Sequence, residues 1–246
     1  MHALAAAALA AWCAAGPSEP VPAVAVSSAA LAEADRLYFH RNQGRNLEDS
    51  IALLESGLGQ APEQPGVQWR LGRGLVRLGE RRAGKKEKLE AYTRAEDLLR
   101  RAVALAPSDP EAHYWLGLAM GRRGQVRGIL RSLFLVGPLR REMRTVLELD
   151  PDHGGAHHVL GSMLLELPGF AGGDQKEGLR ELETAARLEP DSSAHFTALA
   201  EAYRDAGEPD KAQAACEHIL AIARPADPGE YDENVAEARE LLRKLR

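Results

Sequence analysis

The residues best suited to chemistry lie near the middle of the chain, where His153, His157 and His158 follow Asp150 and Asp152. Histidine and carboxylate side chains are common zinc ligands, and the i, i+4 spacing of His153 and His157 places two such groups on one face of a helix. His153, however, falls in a predicted turn, where a histidine commonly serves only as polar surface. We therefore predict no metal site and no cofactor.

A second candidate is the glycine-rich stretch LPGFAGGD at residues 167–174. Phosphate-binding loops have the pattern G-x-x-x-x-G-K-[ST] after a strand, whereas Gly172 and Gly173 lack the lysine–hydroxyl pair and follow good helix formers. We interpret the stretch as a turn between two helices. No Ser-His-Asp order, H-E-x-x-H motif or pair of carboxylates in an apolar setting is present, so we predict that the protein is not an enzyme.

The segment 122–144 contains seven arginines and one glutamate among apolar residues. It is either a basic amphipathic surface for a membrane or an acidic partner, or a lengthened hairpin that packs its apolar stripe on its own solenoid. We favour the second interpretation, because inserted helices in solenoids usually cover exposed core. The net charge of −5 and the lack of interleaved aromatic residues predict no binding to nucleic acid.

Recurring helix pairs position these candidates. After Ala194, small and large apolar residues alternate at the spacing of two packed helices, with Gly207 and Pro209 between them. This is the tetratricopeptide (TPR) pattern, whose period is about 34 residues. Upstream copies are marked by the dipeptides Leu71-Gly72, Leu116-Gly117 and Leu160-Gly161, and a weaker copy spans Leu31 to Pro62.

The boundaries of these units are also visible in the sequence. Second helices end in the phrases LAPSDP, LDPDH and LEPDS, in which proline stops one helix and Asp or Ser caps the next. The Leu-Gly landmarks are wider apart than one period, so we expect insertions between the two helices of three units. The sequence predicts an all-α, right-handed α-solenoid of about five divergent TPR-like hairpins over residues 29–246, with an amphipathic C-terminal capping helix.

The N-terminal residues 1–28 form a separate segment. A stretch of about 13 apolar residues is too short to span a bilayer but suits the apolar region of a signal peptide, and a proline-rich linker follows. We predict a signal peptide or disordered linker and a periplasmic or secreted protein; the alternative is a cytoplasmic one. Trp12 is bulky where lipoprotein signals have a small residue, which disfavours a lipid on Cys13. Membrane association is expected only through an N-terminal anchor.

The lengthened hairpins, the phrases AHYWLG and VGPLRREMRTVLELDPDHGGAHHVLG, and LPGFAGGD before a further unit together resemble one TPR subgroup. Over about residues 31–246 the chain is similar to the periplasmic helical-repeat component associated with TRAP-type transporters. More distantly, it resembles the microtubule-dynamics regulator family. The first resemblance implies an envelope protein, often lipid-anchored, that works beside a periplasmic solute-binding protein.

TPR solenoids bind ligands mainly on the concave face, which is lined by their first helices. The corresponding residues are aromatic and basic in the N-terminal half and more acidic towards the C-terminus, which suits an extended peptide with acidic and apolar side chains. The same positions are also compatible with ordinary solvated or inter-repeat residues. The predicted groove consists of Trp69, Arg73, Arg77, Tyr114, Leu118, Arg122, His158, Ser162, Glu166, Glu201 and Arg204.

These observations predict a non-catalytic scaffold that binds a protein or peptide partner on its concave face. An alternative is an accessory component of a solute uptake system, in which the lengthened hairpins wall off a small apolar or anionic ligand. A third possibility is a purely architectural repeat subunit.

Overall fold

The computed structural model describes residues 25–245 of the 246-residue chain, and within a helix it leaves out the side chains of residues 129–132. The predicted N-terminal segment therefore falls almost entirely outside the described residues. Among those described, the regular structure is helical throughout.

Five antiparallel helix hairpins follow one another and a single helix ends the array. Each helix packs on the next one in the chain, as in a solenoid, so the predicted all-α repeat architecture is confirmed. The helices are α1 (Ser28–Phe39), α2 (Asn46–Gln60), α3 (Pro65–Arg81), α4 (Lys85–Leu105), α5 (Pro110–Arg127), α6 (Ile129–Leu149), α7 (Gly154–Glu166), α8 (Gln175–Leu188), α9 (Ser193–Asp205), α10 (Pro209–Ala221) and α11 (Pro228–Leu245).

The predicted insertions take two different forms. In the second and third hairpins they lengthen the helices, because α4 and α6 each have 21 residues and the connections are only residues 82–84 and Gly128. Gly128 has φ 101° and ψ 162°, a conformation that is essentially restricted to glycine. Of these three insertions, only the one in the fourth hairpin is a loop, at residues 167–174, with a single 3-10 turn at Gly169–Ala171, which confirms that the glycine-rich stretch is a turn.

The caps between units follow the prediction in part. Asp109 caps α5, since its carboxylate accepts a hydrogen bond from the backbone N–H of Glu111. At α7 the cap is His153 rather than an aspartate, and its Nδ1 accepts the backbone N–H of Ala156 at 3.1 Å. Ser192 occupies the N-cap position of α9 without a side-chain hydrogen bond.

Small residues let the two helices of a hairpin approach closely. The glycine of each Leu-Gly landmark faces the second helix of its unit, and Gly161 meets the backbone of α8 itself. A Cβ atom at Gly161 would lie 2.8 Å from the carbonyl oxygen of Gly178 and 2.9 Å from Leu182. Backbone cannot rotate away as a side chain can, so this contact fixes the spacing of α7 and α8.

We expect Gly161→Ala to lower the free energy of unfolding by about 1–3 kcal/mol, because the added methyl group forces the two backbones apart. Gly59→Ala is the matched control: it lies in α2 with no atom within 4 Å of its Cβ position, and it should raise the same free energy by about 0.5 kcal/mol. Urea denaturation measures both. Equal effects at the two positions would contradict the close contact of α7 and α8.

The two ends of the array meet. As predicted, α11 caps the last hairpin through buried Ala238 and Leu241. The residues at its start also contact the first hairpin, where the Arg41 guanidinium donates to both carboxylate oxygens of Asp227 at 2.6 and 2.8 Å. The side chain of Arg41 is only 4% exposed. Residues 186 positions apart are thereby joined, and the concave face becomes the inside of a closed ring.

Candidate functional site

The concave face holds a half-open cavity of ≈ 780 Å³. The first helices of the repeats supply most of its wall. Leu135, Val136 and Leu139 of the lengthened α6 cover one side, and Asp227 and Glu230 at the start of α11 close another. This volume lies within the range of about 300–1,000 Å³ that is typical of ligand sites.

Most of the predicted groove residues line this cavity. Glu201 and Arg204 do not; both are exposed further along α9, where the start of α11 has already closed the ring. The C-terminal wall is formed instead by Ser192 and His195 at the beginning of α9. The predicted residues that line the cavity are Trp69, Arg73, Arg77, Tyr114, Leu118, Arg122, His158, Ser162 and Glu166.

The arginines of the wall are engaged by the protein's own carboxylates. Arg73 is buried, forms an ion pair with Asp35 and lies over the ring of Tyr38 at 3.7 Å. Arg77 donates to Glu230 at 3.0 Å and to Glu80 at 3.1 Å. The guanidinium groups of Arg73 and Arg77, which the sequence assigned to an acidic ligand, are therefore already paired with carboxylates of the protein.

Arg122 also pairs with a carboxylate of the protein, although its side chain is more exposed than those of Arg73 and Arg77. Its Nε lies 2.9 Å from Glu80 Oε1, and its side chain remains 42% exposed.

Burial lowers the pKa of Arg77, but Tyr38, Glu80 and Glu230 together raise it well above its ordinary value, so this side chain stays charged. The result is two groups of ion pairs along the N-terminal half of the wall, one around Asp35 and one around Arg77.

The sequence did not single out several residues of the wall. Asp35 and Tyr38 belong to the first hairpin, whose weaker repeat pattern does not fix the register to a single residue, and Trp115 follows the predicted Tyr114 directly. A correct register would have identified these residues. For Asp227 and Glu230 the sequence contains no signal, because their place in the wall depends on how far the array curves.

Two histidines face each other across the cavity wall. His158 Nδ1 lies 3.0 Å from His195 Nδ1, and His195 Nε2 lies 3.0 Å from a carboxylate oxygen of Glu189. Only one of the two facing Nδ1 atoms can carry a hydrogen in this contact. Burial, and secondly the neighbouring His195, lowers the pKa of His158 to about 3.

This pKa predicts a specific loss of stability in mild acid. In the unfolded chain His158 has a pKa near 6.5, so below that pH the unfolded state binds a proton that the folded state does not. One such histidine costs about 2 kcal/mol of unfolding free energy between pH 7 and pH 5. Guanidinium denaturation measures the free energy of unfolding at both pH values. Between pH 7 and pH 5 this free energy should fall by about 2 kcal/mol less in His158→Gln than in the parent protein. The same pH dependence in both proteins would contradict the buried, neutral histidine.

The other predicted chemical candidates have structural partners. His157 lies 2.5 Å from Glu181 Oε2 and 3.2 Å from the carbonyl oxygen of Pro151. His113 makes the corresponding contacts in the preceding unit, 2.7 Å from Glu142 and 3.0 Å from the carbonyl oxygen of Pro107. Across residues 25–245, no group of three or more His, Cys, Asp or Glu side chains is arranged to hold a metal ion.

The arginine-rich segment packs largely on the solenoid. Val136 and Leu139 join a core cluster with Met143, and Arg123 reaches the buried Glu96 of α4. Phe134 departs from this arrangement, because its side chain is 82% exposed. In the part of the chain that the structure describes, no helix is both long and apolar enough to cross a membrane.

Comparison with solved structures shows the same repeat architecture. A thermophilic TPR protein from Thermus thermophilus is 23% identical, with a TM-score of 0.65 over 87% of this chain and 98% of that chain. MamA from Desulfovibrio magneticus is 16% identical, with a TM-score of 0.47 over 80% of this chain and 94% of that chain. YrrB, described as a TPR protein with an unusual peptide-binding site, is 16% identical, with a TM-score of 0.43 over 83% and 90%. The first of these supports the TPR-like fold.

Comparison with sequence families gives a second result. A search of curated proteins found no match. The family described as regulator of microtubule dynamics protein 1-3, however, matches residues 30–167, which is more than half of the chain. The match runs from the first turn of α1 through the first three hairpins and includes the whole of α7. The chain therefore belongs to the regulator of microtubule dynamics protein 1-3 family.

Proposed function

We propose that this chain is a non-catalytic binding protein that holds a short segment of a protein partner in its concave cavity. The observation that carries the proposal is the concave, half-open cavity of ≈ 780 Å³, into which aromatic, apolar and charged side chains converge from successive repeats. Preformed concave sites with a few placed polar groups are typical binding sites. The absence of enzymatic activity remains a prediction from the sequence.

A photo-crosslinking experiment tests this proposal. In the native host, p-benzoylphenylalanine in place of Leu118 puts the reactive group in the cavity, and the same group in place of the exposed Gln213 on α10 is the control. We expect irradiation to join a polypeptide to position 118 and not to position 213. Adding Ser162→Trp, which obstructs the cavity from α7, should reduce the product, whereas equal crosslinking at both positions would contradict the proposal.

A second candidate is a small apolar or anionic ligand, as in an accessory component of a solute uptake system. The observation that favours it is the closure of the ring through Arg41 and Asp227, which leaves a half-open cavity of the size used for small molecules. Native mass spectrometry of freshly purified protein distinguishes the two. A bound mass below that of a peptide would support the second candidate, and a bare mass across preparations would contradict it.

The cellular location is part of the proposal as well. The apolar stretch within residues 1–28 supports export, and the resemblance to the TRAP-associated component would place the protein beside a periplasmic solute-binding protein. The intact mass of the native protein tests export. Loss of the first 15 to 25 residues, roughly the length of a signal peptide, would support it, and a full-length mass in the soluble fraction would favour a cytoplasmic adaptor.

A further inference from the structure

Only some of the charged side chains in the cavity wall are free to pair with a ligand, because others already have partners within the protein. Each arginine of the wall has a carboxylate partner: Arg73 pairs with Asp35, Arg77 with Glu230 and Arg122 with Glu80. Arg73 Nε is buried without a hydrogen-bond partner of its own. An anionic ligand would have to displace one of these internal carboxylates from a buried or half-buried ion pair. Such a displacement leaves a carboxylate without its partner, and this cost works against binding.

Three carboxylates of the wall, Glu111, Glu166 and Glu189, have no such arginine partner among the described residues, and Glu111 and Glu189 both lie near His153. Glu111 accepts a hydrogen bond from Trp115 Nε1 at 3.1 Å, and Glu189 lies 3.0 Å from His195 Nε2. Each side chain is 42% exposed, so both keep surface towards the cavity. Although burial raises it, the contacts with His153 and Trp115 hold the pKa of Glu111 below its ordinary value, and His195 lowers that of Glu189.

His153 lies beside Glu111 and adds a second, independent feature. Its Nδ1 is occupied as the acceptor for the N–H of Ala156, so its hydrogen is on Nε2. This Nε2 is buried and has no hydrogen-bond partner, since Glu111 Oε1 lies 3.6 Å away, and the side chain is only 10% exposed. A buried donor without a partner is costly, and a small rotation of the ring would let it donate to a carbonyl oxygen of a bound segment.

The surroundings of this pair of carboxylates also suit a cation. The ring of Tyr114 packs against His153 with centroids 4.8 Å apart, and the two glycines that begin α7 keep the site compact. A Cβ atom at Gly154 would meet the Glu189 carboxylate at 2.6 Å, and one at Gly155 would meet the Tyr114 ring at 2.9 Å. Carboxylates beside aromatic rings are the usual surroundings of ammonium and guanidinium groups.

We propose that the cavity selects a partner segment with a cationic side chain, lysine or arginine, held between Glu111 and Glu189 while His153 donates to a carbonyl group of the same segment. This inference rests on the proposed function and reverses the charge that the sequence suggested for the partner. The direct consequence is a preference for basic over acidic peptides of the same length and apolar content.

Three acetylated and amidated hexapeptides test the preference, with leucine alternating with lysine, glutamine or glutamate. Trp69 and Trp115 line the cavity, so their fluorescence reports binding in a protein in which Trp12, the third tryptophan, is changed to phenylalanine. We expect the lysine peptide to bind about tenfold more tightly than the glutamate peptide, with the glutamine peptide between them.

Matched variants connect the preference to the site. In the double variant Glu111→Gln with Glu189→Gln, the affinities for the lysine and glutamate peptides should differ by no more than about twofold. The exposed pair Glu217→Gln with Glu233→Gln changes the net charge equally and should leave the preference for the lysine peptide intact. If the double variant unfolds, Glu111→Gln alone should still reduce the preference. Equal or tighter binding of the glutamate peptide would overturn the charge selection and leave the proposed function standing. No fluorescence response to any peptide would overturn both.

Discussion

Glu96→Ala is expected to lower the free energy of unfolding by about 3–5 kcal/mol. Glu96 lies on α4 with 0% exposure, and its carboxylate contacts Arg100 on the same helix and Arg123 of α5, whose Nε is 2.8 Å away. Alanine would leave the Arg123 guanidinium, whose side chain is 16% exposed, without its carboxylate partner. An uncompensated buried charge is among the most destabilising changes that a single substitution can make.

The matched control is Glu90→Ala on the same helix. Glu90 is 65% exposed and its ion pair with Lys86 is 3.9 Å long, so this substitution should change the free energy of unfolding by no more than about 0.5 kcal/mol. Guanidinium denaturation of both variants gives the difference directly. Similar values for the two would show that Glu96 and Arg123 do not hold the second hairpin to the third.

Arg41→Ala is expected to lower the free energy of unfolding by about 2–4 kcal/mol and to open the ring. The expected loss is smaller than at Glu96 because its partner Asp227 keeps 21% of its side chain exposed and can be hydrated. Without the guanidinium, Asp227 and Glu230 repel each other at the start of α11 while Arg77 alone remains to hold them. The first hairpin should then separate from α11.

Arg36→Ala provides the control for this second variant. Arg36 is also on the first hairpin, but its ion pair with Glu33 lies within α1 and its side chain is 56% exposed. We expect no measurable loss of stability and no change in shape. Thermal denaturation gives the stability of both variants, and small-angle X-ray scattering gives their radius of gyration. An unchanged radius in Arg41→Ala would argue against the role of this ion pair in closing the ring.

The repeat architecture could be read from the sequence because its signals are local. The Leu-Gly landmarks, the prolines that end second helices and the Gly207–Pro209 turn each act within one hairpin, and the structure places helices where they predict. The insertions were harder to interpret. Spacing alone cannot distinguish a loop from extra helical turns, and the two 21-residue helices show that most of the added residues are helical.

The candidate site could be predicted only in part, for a geometric reason. Positions on first helices follow from the repeat register, so residues such as Trp69 and Tyr114 were identified as lining the concave face. Whether a side chain at such a position can pair with a ligand depends on partners from other units. Asp35, near the start of the chain, pairs with Arg73, and Glu230, near its end, pairs with Arg77. Closure itself depends on the summed curvature of five hairpins, which no short stretch of sequence encodes.

The measurement that most directly tests this account is the distance between the two ends of the array in solution. Spin labels on Gln43→Cys and Asp232→Cys, both exposed beside the contact, allow it to be measured by pulsed electron resonance after Cys13→Ser. Cys216 is buried, which raises its thiol pKa and protects it from labelling. The account predicts one narrow distance distribution, broadened by Arg41→Ala. A broad distribution in the parent protein would contradict the closed cavity.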